Sequence, residues 1–260
     1  MPPPLPLMEY KKPTKIRNDV NVKEESLRVE RDDENPGRFV VSFTFDASCP
    51  GSITIMFFAK EVENCSLSST KENMLAPVTV PFKQGLGQKF RQPSGTGIDF
   101  SMFEETELRR ENEMEYVYPL TVKAEPIPVS LSGSADGNSE GGATNSQLTD
   151  AVFEKVDGEY LVRVVKQILW VTGFRYELQK IYGQVYSVNN DFDGNDREKE
   201  CSICLSEPRD TTVFPCRHMC MCSVCAEVLR FQINWCPICR QPVESLWLDE
   251  SKTGPKIEEK

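Results

Sequence analysis

The chain has 260 residues, a formal net charge of −10 at pH 7, and a hydrophobic content of 39% diluted by 15 glycines and 18 prolines. This length allows one or two folded domains with polar linkers, and the net acidity argues against a protein that works mainly by neutralising nucleic-acid phosphates. No apolar run reaches the roughly 18 residues that a membrane span needs, and the N-terminus lacks the apolar core of a secretion signal.

Residues 1–15 are rich in proline and predict a disordered leader. Pro3 to Pro6 formally satisfies the PxxP pattern of SH3 ligands, but any extended proline-rich leader does so. A linker is therefore favoured over a peptide ligand. From Ile16 onward the pattern changes to that of strands.

Two apolar segments early in the chain have the pattern of β-strands. Apolar residues alternate with their neighbours from Phe39 to Phe45, and a second run extends from Ser52 to Lys60. The turn-forming sequence Cys49-Pro50-Gly51 between them predicts a hairpin. A shorter strand is predicted from Val78 to Phe82.

The next segments predict one loop, one short helix and one strand. Lys83 to Gly97 is rich in glycine and polar residues, and it matches no phosphate-binding motif, so it predicts a loop. Ser101 and Glu104 match a capping box, which predicts a helix that ends near Glu113. The segment from Tyr116 to Val122 returns to the strand pattern.

Residues 130–147 predict a flexible loop, because a segment with almost no large apolar side chain buries too little surface to offset its ordering entropy. Strand patterns resume from Tyr160 to Val171 and from Phe174 to Ile181. The later block is too small to be stable alone. The two strand-rich blocks therefore predict one β-sandwich-like domain over residues 16–186, followed by an acidic hinge at 187–199.

Eight metal-ligand residues lie within the 39 residues from 201 to 239. They form four close pairs: Cys201 with Cys204, Cys216 with His218, Cys222 with Cys225, and Cys236 with Cys239. A structural zinc takes four thiolate or imidazole ligands, so this set suits two Zn²⁺ ions. The spacing leaves open whether the pairs are used in sequence or interleaved.

Cys220 is a possible rival ligand to Cys222. Only Cys222 forms a Cys-x-x-Cys turn with Cys225, since Cys220 is five residues away from that partner. Cys220 is therefore predicted to be a non-ligand. Cys49 and Cys65 are isolated upstream and are predicted to be reduced.

The order and spacing of these seven cysteines and one histidine resemble the RING finger at all eight ligand positions. The resemblance implies a small cross-braced α+β module over residues 200–242, in which alternate pairs share an ion. One zinc would be held by Cys201, Cys204, Cys222 and Cys225. The other would be held by Cys216, His218, Cys236 and Cys239.

The RING resemblance also implies a function. RING fingers dock a ubiquitin-conjugating enzyme charged with ubiquitin and orient its thioester, with no covalent intermediate of their own. The family's docking positions correspond to Ile203, Leu229, Pro237 and Ile238, with Leu229 on a helix predicted from Ala226 to Ile233. Arg240 stands where many RING ligases carry a cationic linchpin that contacts both ubiquitin and the enzyme. Ordinary packing and solvent exposure are the alternative explanations of these residues.

The resemblance extends over about Ile16 to Glu244. Stretches such as GRFVVSFTFDASCPGSITIMFFAKE and GEYLVRVVKQILWVTGFRYELQKIYG are similar to the RING-associated β domain of mahogunin-related ubiquitin ligases, particularly the plant branch. This implies ubiquitin transfer to lysines of protein substrates, with the β domain recognising or positioning the substrate. A non-catalytic, zinc-stabilised interaction adaptor is the rival hypothesis.

Two features depart from the plant relatives. Those relatives usually begin with a Met-Gly that can be myristoylated, whereas this chain begins with Met1-Pro2. The ending SLWLDESKTGPKIEEK also differs, and residues 243–260 are predicted to be a tail that is unstructured from Asp249 onward. The protein is predicted to be cytoplasmic, with no nucleic-acid partner and with any membrane association mediated by its partners.

Overall fold

The computed structural model describes residues 9–11, 18–110, 116–127, 145–183, 199–232 and 235–249. The chain forms two compact units, one of residues Ile16–Leu178 and one of Met1–Lys15 with Gln179–Lys260. The β-rich unit thus ends at Leu178, earlier than the predicted boundary at 186. Most of the predicted flexible loop and all of the predicted hinge except Lys199 lie outside the described residues.

Strands dominate the described chain, which confirms the prediction of a mainly β fold. The strands are β1 (Glu9–Lys11), β2 (Val20–Val22), β3 (Arg28–Arg31), β4 (Phe39–Ala47), β5 (Gly51–Glu61), β6 (Leu67–Ser69), β7 (Val78–Phe82), β8 (Gly85–Arg91), β9 (Val117–Pro126), β10 (Ser146–Val156), β11 (Glu159–Val171), β12 (Phe174–Leu178), β13 (Thr211–Phe214), β14 (His218–Met221) and β15 (Ser245–Leu248). The α-helices are α1 (Glu105–Arg109) and α2 (Ser223–Gln232). None of the described helices has both the length and the apolar character needed to span a bilayer.

The β-rich unit contains two antiparallel sheets. The larger sheet has seven strands in the order β12-β11-β10-β9-β5-β6, with β7 also paired to β5. The smaller sheet has four strands in the order β2-β4-β3, with β8 also paired to β4. Apolar side chains from both sheets form one core, which gives the β-sandwich-like domain that the sequence predicts.

The core is rich in aromatic contacts because alternate residues of the strands point inward. Phe43 of β4 stacks on Phe90 of β8 with ring centroids 4.7 Å apart. Phe153 of β10 packs edge-on against Phe100 at 4.9 Å and lies 6.4 Å from Phe57 of β5. The Phe43–Phe90 contact lies within the smaller sheet, whereas Phe153 joins the larger sheet to the turn that precedes α1.

The predicted hairpin between the strands at Phe39–Phe45 and Ser52–Lys60, which correspond to β4 and β5, is wrong. β4 pairs with β2, β3 and β8, whereas β5 pairs with β6, β7 and β9, so the intervening turn carries the chain from one sheet to the other. Gly51 begins β5 in close contact with β9, where an added Cβ would lie 2.2 Å from the Glu125 carbonyl oxygen. Alternation shows which residues share a face but does not identify the neighbouring strand.

Two further features differ from those predicted, and one predicted boundary is not described. Part of the predicted loop from Lys83 to Gly97 is strand β8, since Phe90 completes the core beside Phe43. Helix α1 begins after a capping box formed by Glu104 and Glu107, not by Ser101 and Glu104. The described helix ends at Arg109, and the predicted end at Glu113 lies outside the described residues.

Strand β10 begins at Ser146, inside the predicted flexible loop. Its polar start is buried because its side chains make specific hydrogen bonds. The Val22 amide donates to Gln147 Oε1 at 2.8 Å, and Gln167 Nε2 donates to the Val22 carbonyl at 2.9 Å. Two glutamine side chains of the larger sheet thus pair with the backbone of β2 in the smaller sheet.

We expect Phe153→Ala to lower the free energy of unfolding of the β-rich unit by about 3–5 kcal/mol, because Phe153 is 1% exposed and truncation leaves a cavity. Denaturant unfolding followed by intrinsic fluorescence measures this loss. Leu161→Ala on β11 is the control, since Leu161 is 50% exposed and its truncation should cost less than about 1 kcal/mol. Equal losses in the two variants would contradict the placement of Phe153 in the core.

The cysteine-rich unit contains a small sheet in the order β1-β15-β13-β14. β15 lies within the predicted tail, but it pairs with β13, and Leu246 is fully buried in the core of this unit. The folded unit therefore extends past the predicted end of the RING at 242. Residues Glu9–Lys11, within the predicted disordered leader, pair in parallel with Ser245–Trp247.

Candidate metal centres in the cysteine-rich unit

Two similar turns present the outer cysteine pairs. In the first, the Leu205 amide donates to the Cys201 carbonyl at 2.9 Å, and Leu205 has a left-handed φ of +54°. In the second, the Arg240 amide donates to the Cys236 carbonyl at 2.9 Å, and Arg240 has a φ of +60°. Each turn places two sulfurs on one side, as a Cys-x-x-Cys metal site requires.

The inner pairs lie on the β13–β14 hairpin and at the start of α2. The Arg217 amide donates to the Val213 carbonyl at 2.7 Å, which closes the turn between Cys216 and His218. The Ala226 amide donates to the Cys222 carbonyl at 2.9 Å as α2 begins. Helix α2 starts at Ser223, three residues before the predicted start at Ala226.

The structure brings the eight residues into two clusters. Cys201, Cys204, Cys222 and Cys225 form one, and Cys216, His218, Cys236 and Cys239 form the other, with the ligand atoms of each within 4.8 Å of one another. This is the interleaved grouping that the RING resemblance implies.

Distances within each cluster suit tetrahedral zinc. The sulfurs of Cys204 and Cys222 are 3.9 Å apart, and Cys236 Sγ lies 3.8 Å from His218 Nδ1. Zn–S bonds of about 2.3 Å in a tetrahedron separate two sulfurs by about 3.8 Å. The donor set of thiols with one imidazole also matches structural zinc, so the unit has two clusters that can hold two Zn²⁺ ions.

The backbone prepares some of these thiols to ionise and buries others. Amides of Glu207 and Ser206 donate to Cys204 and lower the pKa of its thiol to about 7, and the Gln241 amide lowers the pKa of Cys239. Burial raises the pKa of the Cys216 thiol to about 12. A buried thiol of this kind becomes a thiolate readily only beside a cation, and a bound metal ion would supply that positive charge.

Cys220 lies outside both clusters. It belongs to strand β14, is 1% exposed, and packs in the core of the unit together with residues such as Leu246. Burial raises the pKa of its thiol to about 12. The structure therefore places Cys220 among core side chains and not with either ligand set.

Of the residues predicted to dock the conjugating enzyme or ubiquitin, all those with described side chains lie at the surface. Ile203 is 44% exposed and Ile238 is 52% exposed, and Pro237 and Arg240 are also exposed. Leu229 lies on α2, but its side chain falls outside the described residues. Ile203 belongs to the first cysteine turn. Pro237 and Ile238 lie between the two cysteines of the last turn, and Arg240 follows them.

Sequence reasoning missed further exposed apolar residues of this unit: Leu205, Val224, Val228 and Trp235. Val224 and Val228 are one helical turn apart on α2, so their spacing was a usable signal. Sequence reasoning also placed residues 179–186 in the preceding β domain, whereas the cysteine-rich unit begins at Gln179. There, Tyr182 bridges to His218, and the Met219 amide donates to the Tyr182 carbonyl at 2.8 Å.

Comparisons with known proteins match both units. Residues 20–178 match the family described as the RNF157-like N-terminal domain. Residues 197–246 match the C3HC4-type zinc finger, or RING finger. No solved structure matches the chain.

Curated relatives match nearly the whole chain. "Probable E3 ubiquitin-protein ligase LOG2" from Arabidopsis thaliana is 59% identical over 95% of this chain and 64% of its own length. "Probable E3 ubiquitin-protein ligase LUL1" from the same plant is 55% identical over 96% of this chain and 71% of its own length. Human "E3 ubiquitin-protein ligase MGRN1" is 36% identical over 89% of this chain and 44% of its own length.

This chain thus spans a little under two thirds of the length of LOG2. The predicted resemblance to mahogunin-related ubiquitin ligases is confirmed, because relatives with such names from a plant and from an animal match this chain. The chain belongs to the RNF157-like family of RING-finger proteins, whose relatives named above are E3 or probable E3 ubiquitin-protein ligases.

Proposed function

We propose that the protein is a RING-type ubiquitin-protein ligase. The observation that carries this proposal is the pair of interleaved clusters. The turns that present the outer cysteine pairs of these clusters hold exposed apolar side chains between the two cysteines. A module that served only to bind metal would not need Ile203 and Ile238 at its surface. The names of the curated relatives support the same activity.

The proposed reaction needs no covalent intermediate on this chain. When bound, the zinc ions hold the cysteine turns in place and keep the thiolates unavailable as acyl acceptors. Ile203, Leu229, Pro237 and Ile238 would contact the ubiquitin-conjugating enzyme. Arg240 would donate hydrogen bonds from its guanidinium to both ubiquitin and that enzyme, which restricts the thioester to a reactive orientation.

The β-rich unit would bind or position the protein substrate. It has its own core and its own family match, separate from the RING. We propose a cytoplasmic location, because metal-held thiolates are typical of reducing compartments. The partners would be a ubiquitin-charged conjugating enzyme and a protein substrate, with no nucleic acid.

We expect the full chain to form ubiquitin chains or conjugates on itself when mixed with activating enzyme, conjugating enzyme and ubiquitin. Ile203→Ala should lower the rate by about tenfold or more, because a central apolar contact of an interface is removed. Immunoblotting of a time course across a panel of conjugating enzymes measures this.

The matched control is Leu205→Ala. Leu205 is 68% exposed and belongs to the same turn, but it lies outside the predicted docking positions. Its rate should remain within about twofold of the parent, as for a residue at the rim of an interface. If the parent protein forms no conjugates with any conjugating enzyme of the panel, the ligase proposal is contradicted and the non-catalytic interaction adaptor is favoured.

A further inference from the structure

Strand β12 forms one edge of the larger sheet. It pairs with β11 on one side, and no described strand lies on its other side. All five of its residues are exposed. The backbone N–H and C=O groups of an edge strand can pair with a further strand, and natural proteins usually block such edges with a proline, a bulge or a very short strand.

The other edge strands that the structure describes in this unit carry one of these protections. Strands β2, β3 and β6 have only three or four residues, β7 contains Pro81, and β8 has an irregular register beside β4. Strand β12 contains no proline and keeps a regular register with β11 over its whole length. Among the described edges of the unit, β12 is therefore the unprotected one.

The turn before β12 fixes the hydrogen-bonding phase of the strand. Thr172 and Gly173 have positive φ values of +49° and +80°, which are typical of the type I′ turn in a two-residue hairpin. Val171 pairs with Phe174 across this turn. A turn of this kind closes with a hydrogen bond between its first and last residues, so the pair next to the turn is a hydrogen-bonded one.

The backbone groups at the open edge belong to Arg175 and Glu177. Hydrogen-bonded and non-bonded pairs alternate along an antiparallel ladder. The residues of β12 that bond to β11 are thus Phe174, Tyr176 and Leu178. The two residues between them direct their N–H and C=O groups away from β11, and each offers one donor and one acceptor to a further strand.

The exposed apolar side chains of β12 share one face of the strand. Phe174 is 66% exposed, Tyr176 is 39% exposed and Leu178 is 37% exposed, and a period of two places them on the same side. On β11 this face turns toward the smaller sheet, since Gln167, opposite Leu178, donates to the Val22 carbonyl. Strand β12 therefore extends the inner face of the larger sheet beyond the cover of the smaller sheet.

The other face of β12 is already engaged. Arg175 Nε donates to Glu61 Oε2 at 3.0 Å, and Trp170 Nε1 donates to Glu61 Oε1 at 2.5 Å. These contacts hold β12 to the sheet, so little further ordering is needed when a partner binds. A partner would use the backbone edge and the apolar face, and it would need no free charge on β12.

We propose that β12 pairs in antiparallel orientation with β12 of a second copy of this chain, which joins the two larger sheets into one. The pairing centres on Tyr176. It places Arg175 opposite Glu177 of the second copy, so the outward N–H and C=O groups of the two residues meet as a hydrogen-bonded pair. It also places Phe174 opposite Leu178 of the second copy and the two Tyr176 side chains opposite each other, so every apolar side chain of the face gains an apolar neighbour.

The neighbouring registers are less favourable, which favours a second copy in this one register. A centre at Arg175 would place two arginines opposite each other, and a centre at Glu177 would place two glutamates opposite each other. Like charges directly opposite one another destabilise a sheet. Either shift would also leave one apolar side chain of each strand opposite a polar residue. The sequence of β12 is therefore complementary to itself when the pairing centres on Tyr176.

Sedimentation velocity of the full chain between about 1 and 100 μM tests the pairing, and we expect a monomer–dimer equilibrium in this range. Tyr176→Lys should weaken the dimer at least about tenfold, because it places two like charges opposite each other at the centre of the pairing. The matched control is Tyr116→Lys, the same change at a residue of this unit that is 78% exposed and lies outside β12. It should leave the dissociation constant within about twofold of the parent value.

A second pair of variants tests the backbone edge. Glu177→Pro removes one outward N–H group and keeps the hydrogen bonds to β11, since proline is tolerated in an edge strand where the N–H faces solvent. It should weaken the dimer at least about tenfold. Glu177→Ala retains the N–H group and should stay within about threefold of the parent. Denaturant unfolding checks that both variants keep the β-rich unit folded.

A parent protein that remains monomeric at about 100 μM would overturn the proposal and leave the edge to an extended segment of a different protein. A dimer that persists unchanged in both Tyr176→Lys and Glu177→Pro would also overturn it, because the contact between the copies would then lie elsewhere in the chain. The result does not depend on the ligase proposal, since the measurement contains neither ubiquitin nor a conjugating enzyme.

Discussion

Cys222→Ser is expected to remove at least one of the two zinc ions from the protein, whereas Cys220→Ser is expected to retain both. The two cysteines are two residues apart and are 3% and 1% exposed, so burial alone would make the substitutions equally costly. Only Cys222 belongs to a ligand cluster. Zinc content by mass spectrometry under native conditions, on the full chain, measures the difference.

The effect of Cys222→Ser should be large because zinc binding supplies folding free energy. Structural zinc contributes on the order of 10–16 kcal/mol in small zinc domains, far more than the net stability of a typical domain. Loss of an ion should therefore unfold the RING, abolish ubiquitin transfer and leave the β-rich unit folded as a separate unit. If Cys220→Ser loses zinc and Cys222→Ser does not, then Cys220 is the ligand and Cys222 is not.

The candidate site was largely predictable from sequence because metal ligands must be of particular residue types at short spacing. Four close pairs identify the eight residues that form the two clusters without knowledge of the fold. What spacing could not decide was the pairing across the module, which depends on how the β13–β14 hairpin brings Cys216 and His218 beside Cys236. Only the resemblance to a known family implied that grouping.

The β-rich unit was predictable in class but less so in its connections. Strands with apolar alternation, such as β4, were recognised because their pattern is local. Strand β10 was missed at its start because Gln147 is buried through a hydrogen bond to Val22, which lies 125 residues away in sequence. Strand β15 was missed because four residues next to a charged tail give little pattern, and its burial depends on pairing with β13.

Arg240 offers the sharpest separation of function from stability. Its φ of +60° is in the region that glycine prefers, so Arg240→Gly removes the guanidinium while favouring the backbone of the turn. If Arg240 serves only to close the turn, glycine should preserve ubiquitin transfer. If its guanidinium contacts ubiquitin and the conjugating enzyme, we expect the rate of transfer to fall about 10- to 100-fold with both zinc ions retained.

Arg217→Gly is the matched control for this experiment. Arg217 also has a left-handed φ, of +64°, and also lies beside zinc ligands, but its guanidinium donates to Gln179 Oε1 at 2.8 Å within the same unit. Its loss should change transfer by less than about threefold, because a surface hydrogen bond contributes little. Single-turnover discharge of a ubiquitin-charged conjugating enzyme measures both variants, and full activity of Arg240→Gly would show that the guanidinium does not contribute.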